Sequence, residues 1–506
     1  MLTRNNLPTR SRSDQQRARL PLLIRLHRGL LWLAALALFG WVLSGLLHPL
    51  MGLLGPRPLS FGAPALELRA DALTAGLGSV LPQLDDARIA RVVAGPDGPV
   101  WQLSADSRQP RRYLQLDGSP AALDDAAYAR WLGEFYTGLH ALRGPPVLMT
   151  EFDDDYPWVN RLLPVWRLDY DTPQQHSAYL HTETGSLTSY VDARKRVLQN
   201  TFRQVHTLAF LDQLPPLQLA LICALMLALL VVACTGLLLA LQRWGRSGTP
   251  TRRWHRRLGL VALLPVLVMA ASGLLHAVVT RGPPQTPVLA AAPGLLATSF
   301  DALKIDPARW QQALPAQLDA AALRHGPEGH AWLVFRAAAR AADAVPAHDG
   351  HHPTAAASAA PAGLQALQLD LPARSSIGLS ELGEASVRSH LGALPAGQPR
   401  FGFDPDYDFR NRRLPAWGVI EPGSGDRLSF DPLTGQLLDR APGSRRFEAW
   451  AFSWLHKWNP LSSVLGRIGR DALQAGWLLL ALLVAGLGIA LRLRRTQRPG
   501  ARTRTS

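Results

Sequence analysis

Four apolar runs, each long enough to cross a lipid bilayer, constrain this chain more than any other feature of its sequence. They lie at about residues 30–50, 217–241, 258–279 and 473–491. Each has about 19 to 25 residues, which as a helix matches a hydrocarbon core about 30 Å thick. Only 18% of all residues are charged, against about 25% in a typical soluble protein. The sequence therefore predicts an α-helical membrane protein with four spans, and it excludes a single soluble globule or a disordered chain.

The positive charge of the chain is concentrated beside these spans. A net charge of +15 by itself suggests nucleic-acid binding. Residues 1–28, 242–257 and 492–506, however, together hold nineteen arginines and one aspartate, so the rest of the chain is slightly acidic. Cytoplasmic flanks of membrane helices carry such arginines. The pattern therefore predicts cytoplasmic termini, a cytoplasmic 242–257 loop and no nucleic-acid partner.

This orientation puts two long regions outside the cytoplasm. The predicted segments are a basic N-terminus (1–28), a span (29–50), an outer region (51–215), a span (216–241), a loop (242–257), a span (258–279), an outer region (280–471), a span (472–491) and a basic tail (492–506). No small-x-small cleavage site follows the first span in HPLMGLLGPRP, so we interpret that span as an uncleaved anchor.

The cysteines and the absent motifs exclude several kinds of chemistry. Cys223 and Cys234 lie on one span, about 16 Å apart on a helix, so they cannot pair with each other. The chain has no C-x-x-C-H sequence, which excludes covalent c-type haem attachment. It has no Walker A, H-E-x-x-H or G-x-G-x-x-G motif either. If the protein moves electrons, its donor is therefore external, either quinol or a soluble reductase.

The first and third spans are copies of one sequence pattern. His27 to His48 reads HRGLLWLAALALFGWVLSGLLH, and His255 to His276 reads HRRLGLVALLPVLVMAASGLLH. Both begin with His-Arg and end with Ser-Gly-Leu-Leu-His.

The repeat continues into the segments that precede the other two spans. FRQVHTLAF, with His206, precedes the second span, and FSWLHKWNP, with His456, precedes the fourth. The chain is thus two copies of one unit: span, outer region, histidine-bearing segment, span. This predicts a pseudo-symmetric four-helix membrane bundle.

Both outer regions have an α+β pattern. PVWQLSADSRQPRRYLQLDGSPA predicts a hairpin, and Thr184-Gly185 and Thr434-Gly435 predict turns between later strands. LDDAAYARWLGEFYTGL predicts an amphipathic helix packed on a sheet. The Ala/Pro-rich stretch 336–362 interrupts the second region and predicts a flexible insertion. The stretch contains four residues of types that bind metals: His348, Asp349, His351 and His352. We interpret it as a solvated loop rather than a metal site.

Six of the fifteen histidines lie at the ends of spans or just before them: His27, His48, His206, His255, His276 and His456. Ionisable residues at membrane depth are costly and are usually functional. Two histidines that face each other across a helical bundle are a typical means of holding b-type haem iron. We therefore predict two b-type haems whose iron is bound by these histidines. Interfacial or structural histidines without a cofactor are the alternative.

The predicted orientation separates the six histidines by side. His27 and His255 are cytoplasmic, and the other four are outside, so one haem is expected near each surface. The outer pair can be His48 with His276, His206 with His456, or a mixed pair. His27 and His48 are about 31 Å apart along a helix, which is long for direct electron tunnelling between two irons.

These motifs resemble the family of PepSY-associated transmembrane-helix proteins. The resemblance rests on the His-Arg openings, the histidine segments before the second and fourth spans, and the Thr-Gly turns, and it extends over about residues 20–495. The family includes iron-regulated inner-membrane proteins and di-haem ferric-siderophore reductases. The insertion at 336–362 has no counterpart in the family pattern.

The resemblance implies a bacterial inner-membrane protein with two periplasmic PepSY-like domains. It implies two b-type haems, held by His27, His255 and an outer pair among the remaining four histidines. The implied activity is a haem-dependent reduction of Fe(III) in a periplasmic ferric chelate, which releases Fe(II) from a siderophore.

Two other functions remain open from the sequence. The first is a cytochrome subunit that serves another periplasmic oxidoreductase. The second is a membrane protein without redox activity that binds or regulates a peptidase, because PepSY modules are associated with inhibiting or chaperoning peptidases.

Overall fold

The computed structural model describes residues 22–84, 87–105, 109–242, 248–280, 310, 312–325, 331–338, 363–369, 376–404 and 406–496. Most of the predicted insertion at 336–362, with its three histidines and Asp349, lies outside the described residues. Most of the basic N-terminus, residues 243–247 of the cytoplasmic loop and the end of the basic tail also lie outside them.

The described chain alternates between long apolar helices and α+β segments. Its helices are α1 (Leu31–Leu54), α2 (Ala70–Val80), α3 (Asp125–Thr137), α4 (Ala193–Phe202), α5 (Pro215–Gln242), α6 (Pro250–Val279), α7 (Leu379–Leu391), α8 (Arg446–Ala451) and α9 (Ser462–Thr496). Its strands are β1 (Leu68–Arg69), β2 (Ile89–Gly95), β3 (Gly98–Ser104), β4 (Arg112–Leu114), β5 (Val147–Met149), β6 (Val165–Asp169), β7 (Ser177–His181), β8 (Ser186–Val191), β9 (Gln317–His325), β10 (Ala331–Ala337), β11 (Gln365–Gln368), β12 (Ser376–Gly378), β13 (Gly397–Arg400), β14 (Ala416–Ile420), β15 (Arg427–Phe430) and β16 (Leu437–Ala441). The chain divides into a membrane unit (1–53, 197–281 and 447–506) and an outer unit (54–196 and 282–446).

The membrane unit contains the four predicted spans. Helices α1, α5, α6 and α9 are each long and apolar enough to cross a membrane, which confirms the prediction. Large apolar side chains such as Leu36 and Leu264 are exposed, as expected for surfaces that face lipid. Small residues such as Ala34, Ala37 and Ala270 are buried where α1, α5 and α6 pack, because they let helix backbones approach closely.

Two spans begin earlier than the apolar runs indicated. Helix α6 starts at Pro250 because proline is well tolerated in the first turn and the sequence TRRWHRR continues the helix. Helix α9 starts at Ser462 and contains a break at Gly466, whose φ of 66° is readily adopted by glycine. Hydropathy marks where the chain is apolar, whereas the helices continue into the polar flanks.

A pair of π-helical turns is the main irregularity of the membrane unit. The turns Arg203–Thr207 and Phe452–His456 lie in the two repeat-related histidine segments. A residue with positive φ follows each of them, Leu208 at 56° and Trp458 at 53°. Because π-turns add a residue to the helix repeat and occur frequently at functional sites, both histidine segments are candidates for such a site.

In the outer unit, one sheet contains strands from both outer regions. Its strand order is β12-β11-β10-β9-β2-β3-β4, and β1 also pairs with β9. The antiparallel pairing of Ala90 with Leu323 and of Arg91 with Ala322 joins the first region to the second. Trp101 and Phe335, almost completely buried, contribute to the core on this sheet. The two predicted outer regions therefore share one sheet and one core.

Two further sheets repeat one design. They are ordered β5-β6-β7-β8 and β13-β14-β15-β16, and both are antiparallel. The predicted turns at Thr184-Gly185 and Thr434-Gly435 join β7 to β8 and β15 to β16, which confirms them. The predicted amphipathic helix is α3, which begins where Asp124 caps the amide of Ala127.

Candidate functional site

On the predicted cytoplasmic side, two histidines are each held by the backbone of another helix. His27 Nδ1–H donates to Val232 O at 3.0 Å, and the hydroxyl oxygen of Thr235 lies 3.2 Å from the same nitrogen. His255 Nδ1–H donates to Val484 O at 3.0 Å. Arg492, on the same helix as Val484, donates to the carbonyl oxygen of Arg28, the neighbour of His27, at 2.8 Å. The structure thus puts both histidines predicted for this side at the same end of the bundle.

On the predicted outer side, two histidines from the π-turns are held in the same way. His456 Nδ1–H donates to Met269 O at 3.1 Å. His206 Nδ1 lies 3.0 Å from Ser44 Oγ. Because the Ser44 hydroxyl already donates to Gly40 O at 2.6 Å, it accepts the hydrogen bond from His206.

These hydrogen bonds assign the same tautomer to all four rings. A carbonyl oxygen only accepts, so its histidine partner carries the proton on Nδ1, and Nε2 keeps a free lone pair. Hydrogen bonds of this kind, made by the ring nitrogen that does not bind the metal, orient metal-ligating histidines. Among the described residues, no Nε2 of the four forms a hydrogen bond with protein. The two pairs of histidines thus have four Nε2 atoms without a hydrogen-bond partner in the described part of the protein.

The spacing of the outer pair suits one metal ion. The ring centroids of His206 and His456 are 6.4 Å apart, with an interplanar angle of 80°. Two imidazoles on opposite sides of one ion, each at a metal–nitrogen distance of about 2 Å, have centroids about 6 Å apart. Within the described part of the chain, no group of three or more His, Cys, Asp or Glu residues is arranged to hold a metal. His206 and His456 are thus two imidazole rings at close range that belong to no larger ligand cluster in the described chain.

Each of the four rings also packs against a glycine of the helix that it faces. A Cβ atom added to the glycine would approach the ring Cε1 atom as follows: Gly236 to His27 at 3.2 Å, Gly488 to His255 at 3.1 Å, Gly273 to His456 at 3.3 Å and Gly45 to His206 at 3.7 Å. Contacts of 3.0–3.4 Å are tighter than most real Cβ contacts, so three of the four sites favour glycine. A glycine at these positions lets the helix backbone lie close to the imidazole ring.

An aromatic ring supports each histidine of the outer pair. Phe202 stacks on His206 with centroids 4.6 Å apart, and Phe452 stacks on His456 at 4.7 Å. Both phenylalanines lie four residues before their histidines, a spacing that puts two side chains on the same face of a helical segment. The repeat visible in the sequence therefore extends to the side-chain contacts.

The remaining two outer histidines lie in different surroundings. His276 Nδ1–H donates to the buried Glu448 carboxylate at 2.5 Å, and its ring stacks on Phe452 at 3.9 Å. His48 lies edge-on to Phe202 at 6.1 Å. The structure does not give these two histidines the matched backbone or hydroxyl partners that the other four have. They flank the outer pair.

The inner and outer histidine pairs are closer together than the separation of about 31 Å between His27 and His48 along a helix. Fourteen residues of α6, about 21 Å of helix rise, separate His255 from Met269, which binds His456. Ten residues of α9, about 15 Å, separate Val484 at the inner pair from Gln474, whose Nε2 donates to His456 O. The outer pair therefore lies deeper in the bundle than the span ends.

The outer unit contains a separate cluster of buried charges. Glu183 pairs with Arg413 and lies 3.5 Å from Arg111, which in turn lies 3.8 Å from Asp125. Burial alone would raise the pKa of Glu183, but Arg413, Arg111 and other nearby cations outweigh it and lower that pKa to about 2. This carboxylate is therefore ionised at neutral pH, and it joins segments of the two outer regions.

The sequence identified the six histidines but not the residues that orient them. Ser44, Gly45 and Gly273 lie in the repeated Ser-Gly-Leu-Leu-His ends, and Phe202 and Phe452 lie in the repeated Phe-x-x-x-His segments. These sequence repeats were thus the feature from which the orienting residues could have been predicted. Their roles depend on contacts between helices, which no local pattern specifies.

Comparison with known proteins yields one match. The family model described as the PepSY-associated TM region matches residues 149–399. No curated protein and no solved structure matches the chain.

Proposed function

Because the chain belongs to the family of PepSY-associated transmembrane proteins, we propose that it is a di-haem reductase of the bacterial inner membrane. It passes electrons across the membrane to a periplasmic ferric siderophore. The observation that carries this proposal is the pair of two-histidine sites, one toward each end of the bundle, with every Nδ1 held and every Nε2 free.

The donor set fits b-type haem iron, which binds histidine imidazoles without covalent attachment of the haem. His27 and His255 would hold one haem, and His206 and His456 the other. When bound, haem would supply one-electron redox chemistry. The protein positions the imidazoles, fixes their tautomer and surrounds them with apolar helices that exclude water.

His276 and Glu448 serve a different purpose in this proposal. Their hydrogen bond places a carboxylate and an exchangeable proton beside the outer pair. A fixed negative charge next to a redox centre stabilises its oxidised form. Glu448 is therefore expected to lower the reduction potential of the outer centre without binding its iron.

The charge distribution indicates which sides of the membrane the proposed transfer connects. Arginine-rich flanks indicate cytoplasmic termini, so the inner pair lies on the cytoplasmic side and the outer unit in the periplasm. One electron converts one chelated Fe(III) to Fe(II), which siderophore ligands bind far less tightly. Quinol, as donor, supplies two electrons and two protons and so serves two ferric ions. A soluble reductase at the cytoplasmic face is the other donor class.

A reduced-minus-oxidised visible spectrum of the detergent-purified chain tests the proposal. We expect a b-type signal and about two haems per chain by pyridine haemochrome, as two bis-histidine sites require. Fe(II) capture by a chromogenic chelator then tests reduction of a ferric siderophore. A flat spectrum from folded protein would exclude the redox function and favour peptidase binding. Haem without chelate reduction would favour a cytochrome subunit for another periplasmic oxidoreductase.

The close contact at Gly488 gives a steric prediction. Gly488→Leu is expected to displace His255 and to remove about one of the two proposed haems, because a Cβ atom there already lies 3.1 Å from the ring. Gly486→Leu, two residues away on the same helix, is the matched control, since no atom lies within 4 Å of a Cβ at that position. The measurement is the haem-to-protein ratio of each variant. Equal ratios for the two variants would contradict the inner-pair assignment.

A further inference from the structure

The outer unit contains a cavity of about 130 Å³ whose charged lining is mostly arginine. The charged residues that line it are Arg91, Arg336, Arg412, Arg413, Asp319 and Asp431. This volume exceeds the roughly 30 Å³ that one water molecule occupies in the liquid. Four guanidinium groups face two carboxylates of the lining and Glu183, which pairs with Arg413, so one positive charge is in excess.

The two aspartates already have partners. Asp319 pairs with Arg336 at 2.6 Å. Asp431 accepts hydrogen bonds from the Leu433 amide at 2.9 Å and the Thr434 hydroxyl at 3.0 Å. The donors to Asp431 are neutral, so its charge remains and attracts the nearby Arg91 and Arg413.

Arg91 is a cation of the lining that forms no hydrogen bond with the described residues. It extends from β2, its Nε atom is buried without a hydrogen bond, and the described residues offer its guanidinium no hydrogen bond or ion pair. Arg412 donates a long bond of 3.4 Å to Leu187 O and lies over the Phe409 ring. Arg91 is half-buried and Arg412 is exposed, so both guanidinium groups can receive an acceptor from outside the chain. Arginine side chains in such positions pair readily with anions.

The rest of the lining indicates what kind of acceptor fits. Leu364, Leu414, Pro415 and Leu433 contribute apolar surface, and Thr184 contributes a hydroxyl. Arginine forks bind carboxylate and phosphate in a bidentate manner. Inorganic phosphate has no carbon skeleton to contact the apolar side chains. A small polycarboxylic acid has both a carbon skeleton and carboxylates that arginine can bind.

We propose that this cavity binds a small organic acid with at least two carboxylates, and that Arg91 and Arg412 are its anchors. The site lies wholly within the outer unit. It does not depend on the redox proposal, because none of its residues belongs to the histidine pairs.

Isothermal titration of citrate into the full-length chain in detergent micelles tests the proposal. Citrate is expected to bind with a Kd below about 1 mM, and Arg91→Gln is expected to weaken binding by about tenfold or more. Arg88→Gln removes the same charge from an exposed position just before β2 and is expected to leave the Kd unchanged within about twofold. If Arg91→Gln does not fold, Arg412→Gln replaces it with the same expected loss.

Three outcomes would overturn the proposal. No heat from citrate with folded wild-type protein would exclude the site. Equal weakening of citrate binding by Arg91→Gln and Arg88→Gln would show that the loss comes from the net charge of the protein and not from this cavity. Phosphate that binds as tightly as citrate would show an oxyanion site without selectivity for a carboxylic acid.

Discussion

Replacing His456 with alanine is expected to halve the haem content of the purified protein and to abolish electron transfer to a ferric chelate. His456 is one of the two outer imidazoles whose rings are 6.4 Å apart, and its Nε2 is free to bind iron. His206→Ala is expected to give the same result, because each ring supplies one of the two axial ligands. The inner haem should remain, since His27 and His255 are held by other residues.

The flanking histidines provide the matched controls. His48→Ala and His276→Ala are each expected to retain full haem content, because neither has the backbone or hydroxyl partner common to the four proposed ligands. Added imidazole should restore haem to His456→Ala by occupying the space that the side chain leaves, which a merely misfolded variant would not allow. If His276→Ala lost haem and His456→Ala retained it, His276 and not His456 would be the outer ligand.

Replacing Glu183 with glutamine is expected to destabilise the outer unit by about 3 to 5 kcal/mol, because it removes one partner from a buried ion pair. Gln is almost isosteric, so the change removes charge and little volume. Arg413 and Arg111 would then be buried without the carboxylate that they share. Denaturant unfolding followed by tryptophan fluorescence measures the change, since Trp166 donates to Asp125 in the same cluster.

An exposed glutamate gives the control for this prediction. Glu134 forms a solvent-exposed pair with His140 at 2.9 Å, and Glu134→Gln is expected to change stability by less than about 0.5 kcal/mol. A similarly small effect of Glu183→Gln would show that its ion pairs contribute nothing net to stability.

The low pKa of Glu183 also predicts how stability depends on pH. The pKa is about 2 in the folded protein and about 4.3 in an unfolded chain. The unfolded state therefore binds the proton more readily, and the stabilisation from ionised Glu183 is fully present above the unfolded pKa. It is lost progressively as the pH falls from about 5 toward 2. Glu183→Gln should remove this part of the acid dependence, and an unchanged acid profile in the variant would contradict the assignment.

The sequence contained enough to predict the membrane architecture. Apolar run length is a local property that a helix converts directly into a span, and α1, α5, α6 and α9 each overlap a predicted run. The terminal histidines were found for the same reason, since a repeated His-Arg opening or Ser-Gly-Leu-Leu-His ending is visible without any fold. Turns such as Thr184-Gly185 were equally local, because glycine readily supplies the positive φ that the turn needs.

Our proposal of His206 and His456 among the four outer histidines depends on the tertiary structure. His206 and His456 lie 250 residues apart, and only helix packing and two π-turns bring their rings within 6.4 Å. The same is true of the sheet that joins Arg91 to Ala322 and of the cavity beside it. The sequence by itself determined what is local: spans, turns and candidate ligands. Tertiary structure decided which distant side chains meet, because contacts between helices and between strands depend on packing that no single segment encodes.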